Sequence, residues 1–343
     1  MRNMKLFFLK SATCIVFIFI VSTNIWAQDV HFSQMEFSPL TLNPALAGAN
    51  STVNGVLNYR SQWNSVAIPY QTFAASIDGR FNENKRRKNG IMAGGLNFYN
   101  DQSGDLKITT NTMNVNLAYH LILDKSSTLG MGIYTGFGQK SISPNAGRWT
   151  SQYDGSVYNS ALPSNETFSS PNFSFLDAGA GLLYSYKKDN NMKSKANKNA
   201  FNFGIAAYHL NRPANSFLNQ KSDRLYVRWS IFANANINLK NTKAALLPGV
   251  YFQRQGSSME ILYGLYYKYQ LNSTSIGGGS RKPTAIYFGL FNRFKDALAA
   301  KFMFEWGSYS TGLSYDINIS KLNEVSRTRG GFELFLRFNL AEK

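Results

Sequence analysis

The sequence predicts an all-β chain, a transmembrane antiparallel β-barrel of about 14 strands, and three observations lead there. The first is LYVRWSIFANANINL, Leu225 to Leu239, which alternates with the strand period of two throughout. One face carries Leu225, Val227, Trp229, Ile231, Ala233, Ala235, Ile237 and Leu239; the other carries Tyr226, Arg228, Ser230, Phe232, Asn234, Asn236 and Asn238. Asparagines beside an arginine are costly in a dry core, so one face meets an oily medium and the other a wet one. At about 3.3 Å per residue the stretch spans roughly 50 Å, against roughly 17–20 Å for a usual soluble strand. The second is that no stretch after Val21 has the unbroken apolar run of a spanning helix and mean hydropathy is negative, yet aromatics make up 15% of the residues. Alternating strands hide their oily face from any window average, and aromatics collect in girdles at the two membrane interfaces. The third is recurrence: the pattern repeats about fourteen times, an even number that suits an outer-membrane barrel.

In chain order, Met-Arg-Asn-Met-Lys precedes an apolar block from Leu6 to Val21, and the chain turns polar at Gln28 after Trp26-Ala27. A basic start, a block short for a spanning helix and a small residue at Ala27 describe a signal peptide over residues 1–27, in preference to a membrane anchor. Cys14, the only cysteine, lies early in that block, a poor place for lipid attachment, so the mature chain should be free of cysteine. Removing Arg2, Lys5 and Lys10 and no acid lowers the formal balance from +17 to +14. No recognition helix or basic-aromatic platform accompanies this surplus, so nucleic acid is not an expected partner and solvated basic turns account for it.

Residues 28–52 lack clean alternation and contain Pro39 and Pro44, which reads as an ordered lead-in. Residues 53–343 form the barrel. Strand pattern begins at Val53, resumes at Tyr70 to Phe81, and after the turn Asn82 to Asn89 covers Gly90 to Tyr99 and Lys107 to His120. Leu129, Met131, Ile133 and Phe137 then oppose Gly130, Gly132, Gly136 and Gly138, a glycine column that marks bends or the close approach of another backbone. A polar loop over 139–171 follows. Further strands cover Leu176 to Tyr186, Phe201 to His209, Leu225 to Leu239, Leu246 to Gln255, Met259 to Tyr269, Ala285 to Arg293, Ala297 to Glu305, Ser308 to Ile319 and Phe332 to Leu340. With a periplasmic amino terminus, the segments at 61–69, 100–106, 139–171, 210–223 and 319–330 lie outside the cell, so the longer loops fall mainly outside although the second basic turn on the periplasmic side is unusually long. The basic turns with Lys85, Arg86, Arg87 and Lys88, and with Lys187, Lys188, Lys193, Lys195 and Lys198, fall on the periplasmic side, as solvated turns or as docking surfaces.

Catalytic, cofactor and metal residues are not expected. His31, His120 and His209 are too scattered for a metal cluster, no GxSxG elbow is present, and Gly277-Gly278-Gly279 before Ser280-Arg281-Lys282 lacks phosphate-loop spacing. The polar face offers Arg60, His120, Asp177, Arg228, Glu260, Lys268, Asp316, Glu333 and Arg337, both signs together. A selective pore concentrates one sign, so a lumen filled by salt-bridged side chains or by a chain segment is expected over an open channel.

Several stretches resemble one family, the PorP/SprF membrane proteins of the type IX secretion system of Bacteroidota. The lead-in Gln28 to Ala49 resembles the family's opening box at His31, Phe32, Ser33, Gln34, Pro39, Asn43, Pro44, Ala45 and Gly48, and Arg60, Gln62 and Trp63 continue it. Gly204 to Pro213, the stretch LLPGVYFQRQG, Arg293 with Asp296-Ala297, and Gly312 to Leu322 resemble later signatures in the expected order. Met35 and Glu36 depart from the pattern, where the family often has an aromatic. The resemblance implies an outer-membrane barrel that helps export, or holds at the cell surface, proteins with carboxy-terminal sorting domains, gliding adhesins among them. Its implied partners are the type IX translocon, accessory periplasmic or outer-membrane proteins, the secreted sorting-domain proteins and outer-membrane lipid. A passive porin is the alternative.

Candidate partner-binding residues are His31, Phe32, Gln34, Pro39, Asn43, Pro44 and Gly48 in the lead-in, and Trp149, Tyr153 and Phe217 in the outer loops, beside Tyr158. The lead-in is expected either as a periplasmic strap on the barrel rim or, with Phe32, Phe37, Leu40 and Leu42 as apolar anchors, as a plug folded into the lumen or a surface for a partner. The loop aromatics either contact cargo or stabilise their own loops.

Overall fold

A computed structural model of the chain describes residues 29–65, 68–81, 90–166, 170–189, 198–217, 222–272, 283–321 and 323–340. The expected leader, the basic turn at 82–89, most of the second basic turn and the glycine run at 277–279 lie outside the described residues.

Fourteen strands close into one antiparallel barrel. They are β1 (Val53–Gln62), β2 (Tyr70–Arg80), β3 (Gly90–Ser103), β4 (Ile108–Ile122), β5 (Ser127–Ser141), β6 (Asn172–Asp189), β7 (Lys198–Tyr208), β8 (Arg228–Asn238), β9 (Ala244–Gln255), β10 (Ser258–Asn272), β11 (Thr284–Arg293), β12 (Ala297–Trp306), β13 (Tyr309–Asn318) and β14 (Arg329–Leu340). Each pairs with its neighbours in sequence, and β1 closes on β14 from Val53 opposite Leu340 to Gln62 opposite Gly331. The shortest strands have 10 residues, enough to cross a hydrocarbon core at a tilt.

Alternation decides which way each side chain points. Leu57, Phe73, Met113, Leu176, Trp229, Leu290 and Leu336 stand on the outer surface, while Asn58, Thr72, Asn116, Asp177, Ser230 and Glu333 are buried inside. An apolar belt of this extent belongs in lipid, and a closed barrel satisfies every ladder hydrogen bond there. The protein is an outer-membrane barrel.

The stretch expected as a strand over Leu225 to Leu239 is strand only from Arg228 to Asn238. The Leu225 N–H donates to the Pro213 carbonyl at 2.9 Å and Ala214 bridges Arg224, so a loop pairing takes the first three residues. Leu225 is buried in that loop pairing, whereas Trp229 and Ile237, on the same parity, face outward. Strand β3 runs past Tyr99 to Ser103, and β5 takes Gln139 to Ser141 from the expected loop.

About eight strands enclose a space that wall side chains fill by themselves, so fourteen leave room for more. The lead-in occupies it: Phe32, Met35, Phe37, Leu40, Leu42, Ala45, Leu46 and Ala47 are all buried. Phe37 stacks on Phe335 of β14 with centroids 3.9 Å apart, and Met35, Leu42 and Leu46 share one apolar cluster with Val56, Phe232, Leu262 and Phe291 of the wall. Of the two expectations for this segment, the structure shows the lumenal one; a strap on the rim would leave these side chains in water.

Candidate functional site

The lead-in descends the lumen from mouth to mouth, and the wall grips it at four levels. At the first mouth the Asp29 N–H donates to Gln255 Oε1 at the end of β9 (2.9 Å). The Asp29 carboxylate meets the His209 imidazole, and Arg228 at the start of β8 lies 3.5 Å away. His209 Nδ1 is 2.9 Å from Asp177, which also accepts from the Tyr134 hydroxyl at 2.7 Å. Burial by itself would lower the His209 pKa, but the Asp29 charge and hydrogen bonds to Asp177 and Asp29 overcome it and raise it to about 9. Burial would raise Asp29, yet His209 and Arg228 hold its carboxyl well below the usual range. The mouth therefore carries a charged Asp29–His209 pair at neutral pH. His31 behaves oppositely: burial first, then the Arg60 and Arg293 cations, lower it to about 3 and keep it neutral.

One turn inward, Ser33 sits at the centre of an ion-pair cluster. Its hydroxyl donates to Asp316 at 2.7 Å and accepts from Arg60 at 2.9 Å and from Arg293. Arg60 pairs with Glu333 and, at 3.4 Å, with Asp316. Arg293 pairs with Asp316 (3.1 Å), Glu260 (3.0 Å) and Asp296 (3.1 Å). The Gln34 N–H donates to Glu333 at 2.9 Å. Deeper, Glu36 meets Lys301 at 3.0 Å and accepts from the Tyr266 hydroxyl. Lys301 Nζ lies 3.7 Å from the Phe291 ring centroid, so this buried cation has both an ion-pair and a π partner.

The third level is held by shape. Pro39 starts a single helical turn, α1 (Pro39–Leu42), and Pro44 starts a 3₁₀ turn capped by Asn43, whose Oδ1 accepts from the Ala45 N–H at 2.8 Å. The Asn43 amide nitrogen donates to the carbonyls of Leu182 (2.9 Å) and Ile205 (3.2 Å) on β6 and β7. The wall is notched to admit this turn: a Cβ on Gly132 would collide with the backbone nitrogen of Ala45, and one on Gly181 would collide with Asn43 Oδ1. The glycine column in β5 thus includes a site of close backbone approach, as expected.

At the opposite mouth His120 Nε2 meets the Ala47 carbonyl (2.8 Å), and the Gly48 N–H donates to Asp78 (2.8 Å). Arg80 donates to the Gly48 carbonyl at 2.7 Å and Lys187 to that of Ala49 at 3.2 Å. Gly48 has φ +62°, and a Cβ there would collide with Ala93 Cβ, so conformation and space both require glycine. Thr52 then joins the barrel rim through Leu340.

The structure therefore places His31, Phe32, Gln34, Pro39, Asn43, Pro44 and Gly48 along the lead-in between the two mouths, with Phe32, Gln34, Asn43 and Pro44 buried and with Gln34, Asn43 and Gly48 bonded to the wall. The outer-loop residues lie apart from them. Trp149 is half-buried, its indole donating to the Pro144 carbonyl at 3.2 Å, and Phe217 packs edge-on against Phe173 at 4.9 Å. Tyr153 is 58% exposed and is the one of the three most open to a partner. Of the gripping groups, Arg60, Asp177, Arg228, Glu260, Asp316 and Glu333 are legible as lumenal charges, but Asp29, Glu36, Asp78, Tyr134 and Lys301 are not. Lys301 carried one signal, a lysine at lumenal parity between Ala299 and Met303. Among the described residues no group of histidine, cysteine and carboxylate side chains is arranged to hold a metal.

The description "Type IX secretion system membrane protein PorP/SprF" matches residues 25–338, nearly the whole sequence, and the chain belongs to that family. No curated protein matches it. Among solved structures it is similar to BamA from Haemophilus ducreyi lacking POTRA domains 1–3, at 9% identity and a TM-score of 0.43, over 84% of this chain and 70% of that one. It is also similar to CdiB from Acinetobacter baumannii (9%, TM-score 0.41) and CdiB from Escherichia coli (9%, TM-score 0.43). Each covers 84% of this chain, which spans 60% and 63% of theirs.

Proposed function

We propose that this type IX secretion barrel acts by holding proteins, not by passing solutes or by catalysis: it helps export, or anchors at the cell surface, proteins with carboxy-terminal sorting domains. The observation that carries the reading is the occupied lumen. A diffusion pore needs a free path, whereas here the lead-in runs from one mouth to the other and is fixed to the wall by hydrogen bonds of Ser33 to a buried cluster of wall ion pairs, by the Glu36–Lys301 pair and by the notched seat at Asn43. With the lumen taken, the surfaces left for partners are the outer loops and the rims. Tyr153, with Trp149 and Phe217 on neighbouring loops of one mouth, is the first candidate contact for cargo. The lead-in residues reach a partner only if the plug moves, so their role is to keep the barrel closed until then.

A mild-detergent pull-down of the tagged protein from its native outer membrane, read by mass spectrometry, tests this. Recovery of translocon components or of a large sorting-domain protein supports it. Recovery of the barrel alone, together with steady ion conductance in a planar bilayer, replaces it with the porin.

A further inference from the structure

The two ends of the lead-in lie at opposite mouths of the barrel. Asp29 is held by Gln255, the last residue of β9, by Arg228, the first of β8, and by His209, just after β7. Twenty residues on, Ala49 and Thr52 are held by Lys187 near the end of β6, by Arg80 at the end of β2 and by Leu340 at the end of β14. The path between them is not a straight descent. Ser33 meets residues near the first mouth and Glu36 mid-strand residues, and the Leu40 and Thr41 carbonyls then accept from Tyr208 (3.0 Å) and Arg228 (3.2 Å) on the side of the first mouth. Asn43 and Ala47 go on to mid-strand residues and to His120 toward the end of β4. The segment is thus threaded through the lumen and does not loop in and out of one mouth.

The connections sort the two mouths. The one at Asp29 carries the two longest connections, 142–171 and 209–227, with 319–328, 63–69, 104–107, 256–257 and 294–296; the other carries 81–89, 123–126, 190–197, 239–243, 273–283 and 307–308 together with both ends of the strand run. Barrels of this class keep short turns on the periplasmic side and long loops outside.

We infer that the chain is threaded through its own barrel so that its amino-terminal end, on the near side of Asp29, is presented at the cell surface, while Val53 and Leu340 remain at the periplasmic rim. Parity of the strands places only the start of β1; it is silent about a segment that crosses the lumen first. The surface end is adjacent to His209 and the loop it opens, within reach of whatever those loops contact.

The test uses cysteine labelling in intact cells with a membrane-impermeant maleimide. A Gly-Ser-Cys-Gly-Ser insert between Gln28 and Asp29 probes the near end, and Val30→Cys repeats the measurement without an insertion. Asn50→Cys, at an exposed position, probes the far end. Ser160→Cys in the long loop and Lys240→Cys in a short turn, both exposed, report the two sides, and heat-modifiable migration on gels confirms a folded barrel. The expected result is labelling of the insert or of Val30→Cys together with Ser160→Cys in intact cells, and of Asn50→Cys and Lys240→Cys only after the outer membrane is permeabilised. If the barrel sat the other way round, Ser160→Cys and Lys240→Cys would exchange behaviour, and surface presentation of the amino-terminal end would be overturned. Labelling of the near-end cysteines with Lys240→Cys in folded barrels overturns the thread itself. Neither outcome depends on a secreted protein being bound, so failure here is distinct from failure of the pull-down.

Discussion

The outer and inner halves of the plug are held by different physics. From Asp29 to Glu36 the grip is charge: Asp29, Ser33 and Glu36 meet Arg228, His209, Arg60, Arg293 and Lys301, with wall carboxylates completing the clusters. From Phe37 to Gly48 the lead-in carries no charged side chain, and the grip is fit, a stacked ring and glycine notches, with wall groups such as Arg228, Asp78 and Arg80 bonding only to its backbone. Buried ion pairs stabilise little against an apolar alternative but cost much when one partner is lost. The outer half is therefore an all-or-none latch that responds to protons, and the inner half is a seat that responds to volume.

The comparison breaks most plainly on removal of the whole plug. Deleting residues 29–48 is expected to turn a closed barrel into a conducting one in single-channel recordings; unchanged conductance would mean the lead-in does not close the lumen. Arg293→Met comes next. It strips Asp316 and Glu260 of their nearest shared cation and Ser33 of a donor, and is expected to destabilise the folded, plugged barrel by about 3–5 kcal/mol, seen as a lower denaturant midpoint and intermittent opening. An effect no larger than that of a surface substitution would remove the latch from the account.

On the inner half, Gly132→Leu drives a side chain into the backbone of Ala45 and is expected to cost about 1–3 kcal/mol, with opening events but no change in their pH dependence. Asn43→Ala loses the cap and two bonds to wall carbonyls, for about 1 kcal/mol in the same denaturant measurement. Coupling between Asn43→Ala and Arg293→Met in a double-mutant cycle distinguishes two independent grips from one cooperative unit.

The finest test is pH. His209, raised to about 9 from its ordinary 6.5, contributes docking strength that is fully present below 6.5 and is lost as pH rises through about 9. His31, lowered to about 3, costs nothing above 6.5 but weakens docking as pH falls from 6.5 toward 3, because the undocked ring gains a proton that the buried ring does not take. Opening frequency should be lowest near pH 6.5 and rise on both sides. The substitution His209→Gln should flatten only the alkaline side, and His31→Gln only the acid side; any other pattern assigns the latch to different groups.

Most of the barrel was legible in the sequence because strand parity is a local property. Each residue's face follows from its neighbours two positions away, so fourteen strands and most of their bounds could be read without knowing how they pair. The exceptions, Leu225 to Val227 and the ends of β3 and β5, lie where loop pairing competes with the ladder. The mixed lumenal charges were legible for the same reason, and so was the lead-in as an ordered segment with apolar anchors. The partners of those charges were not: Ser33 and Asp316 are 283 residues apart, and Glu36 and Lys301 are 265 apart.

By itself, then, the sequence determined the class of the molecule, its oily and wet faces, its strand count and its family signatures, all carried by short periods and local motifs. Only the tertiary structure decided that the lead-in fills the lumen, which carboxylate meets which guanidinium, and that Asp29 lies at the opposite mouth from Val53. Those facts depend on closure of β1 against β14, which creates an interior wide enough for another segment and brings distant strands around it. No window of sequence contains that closure.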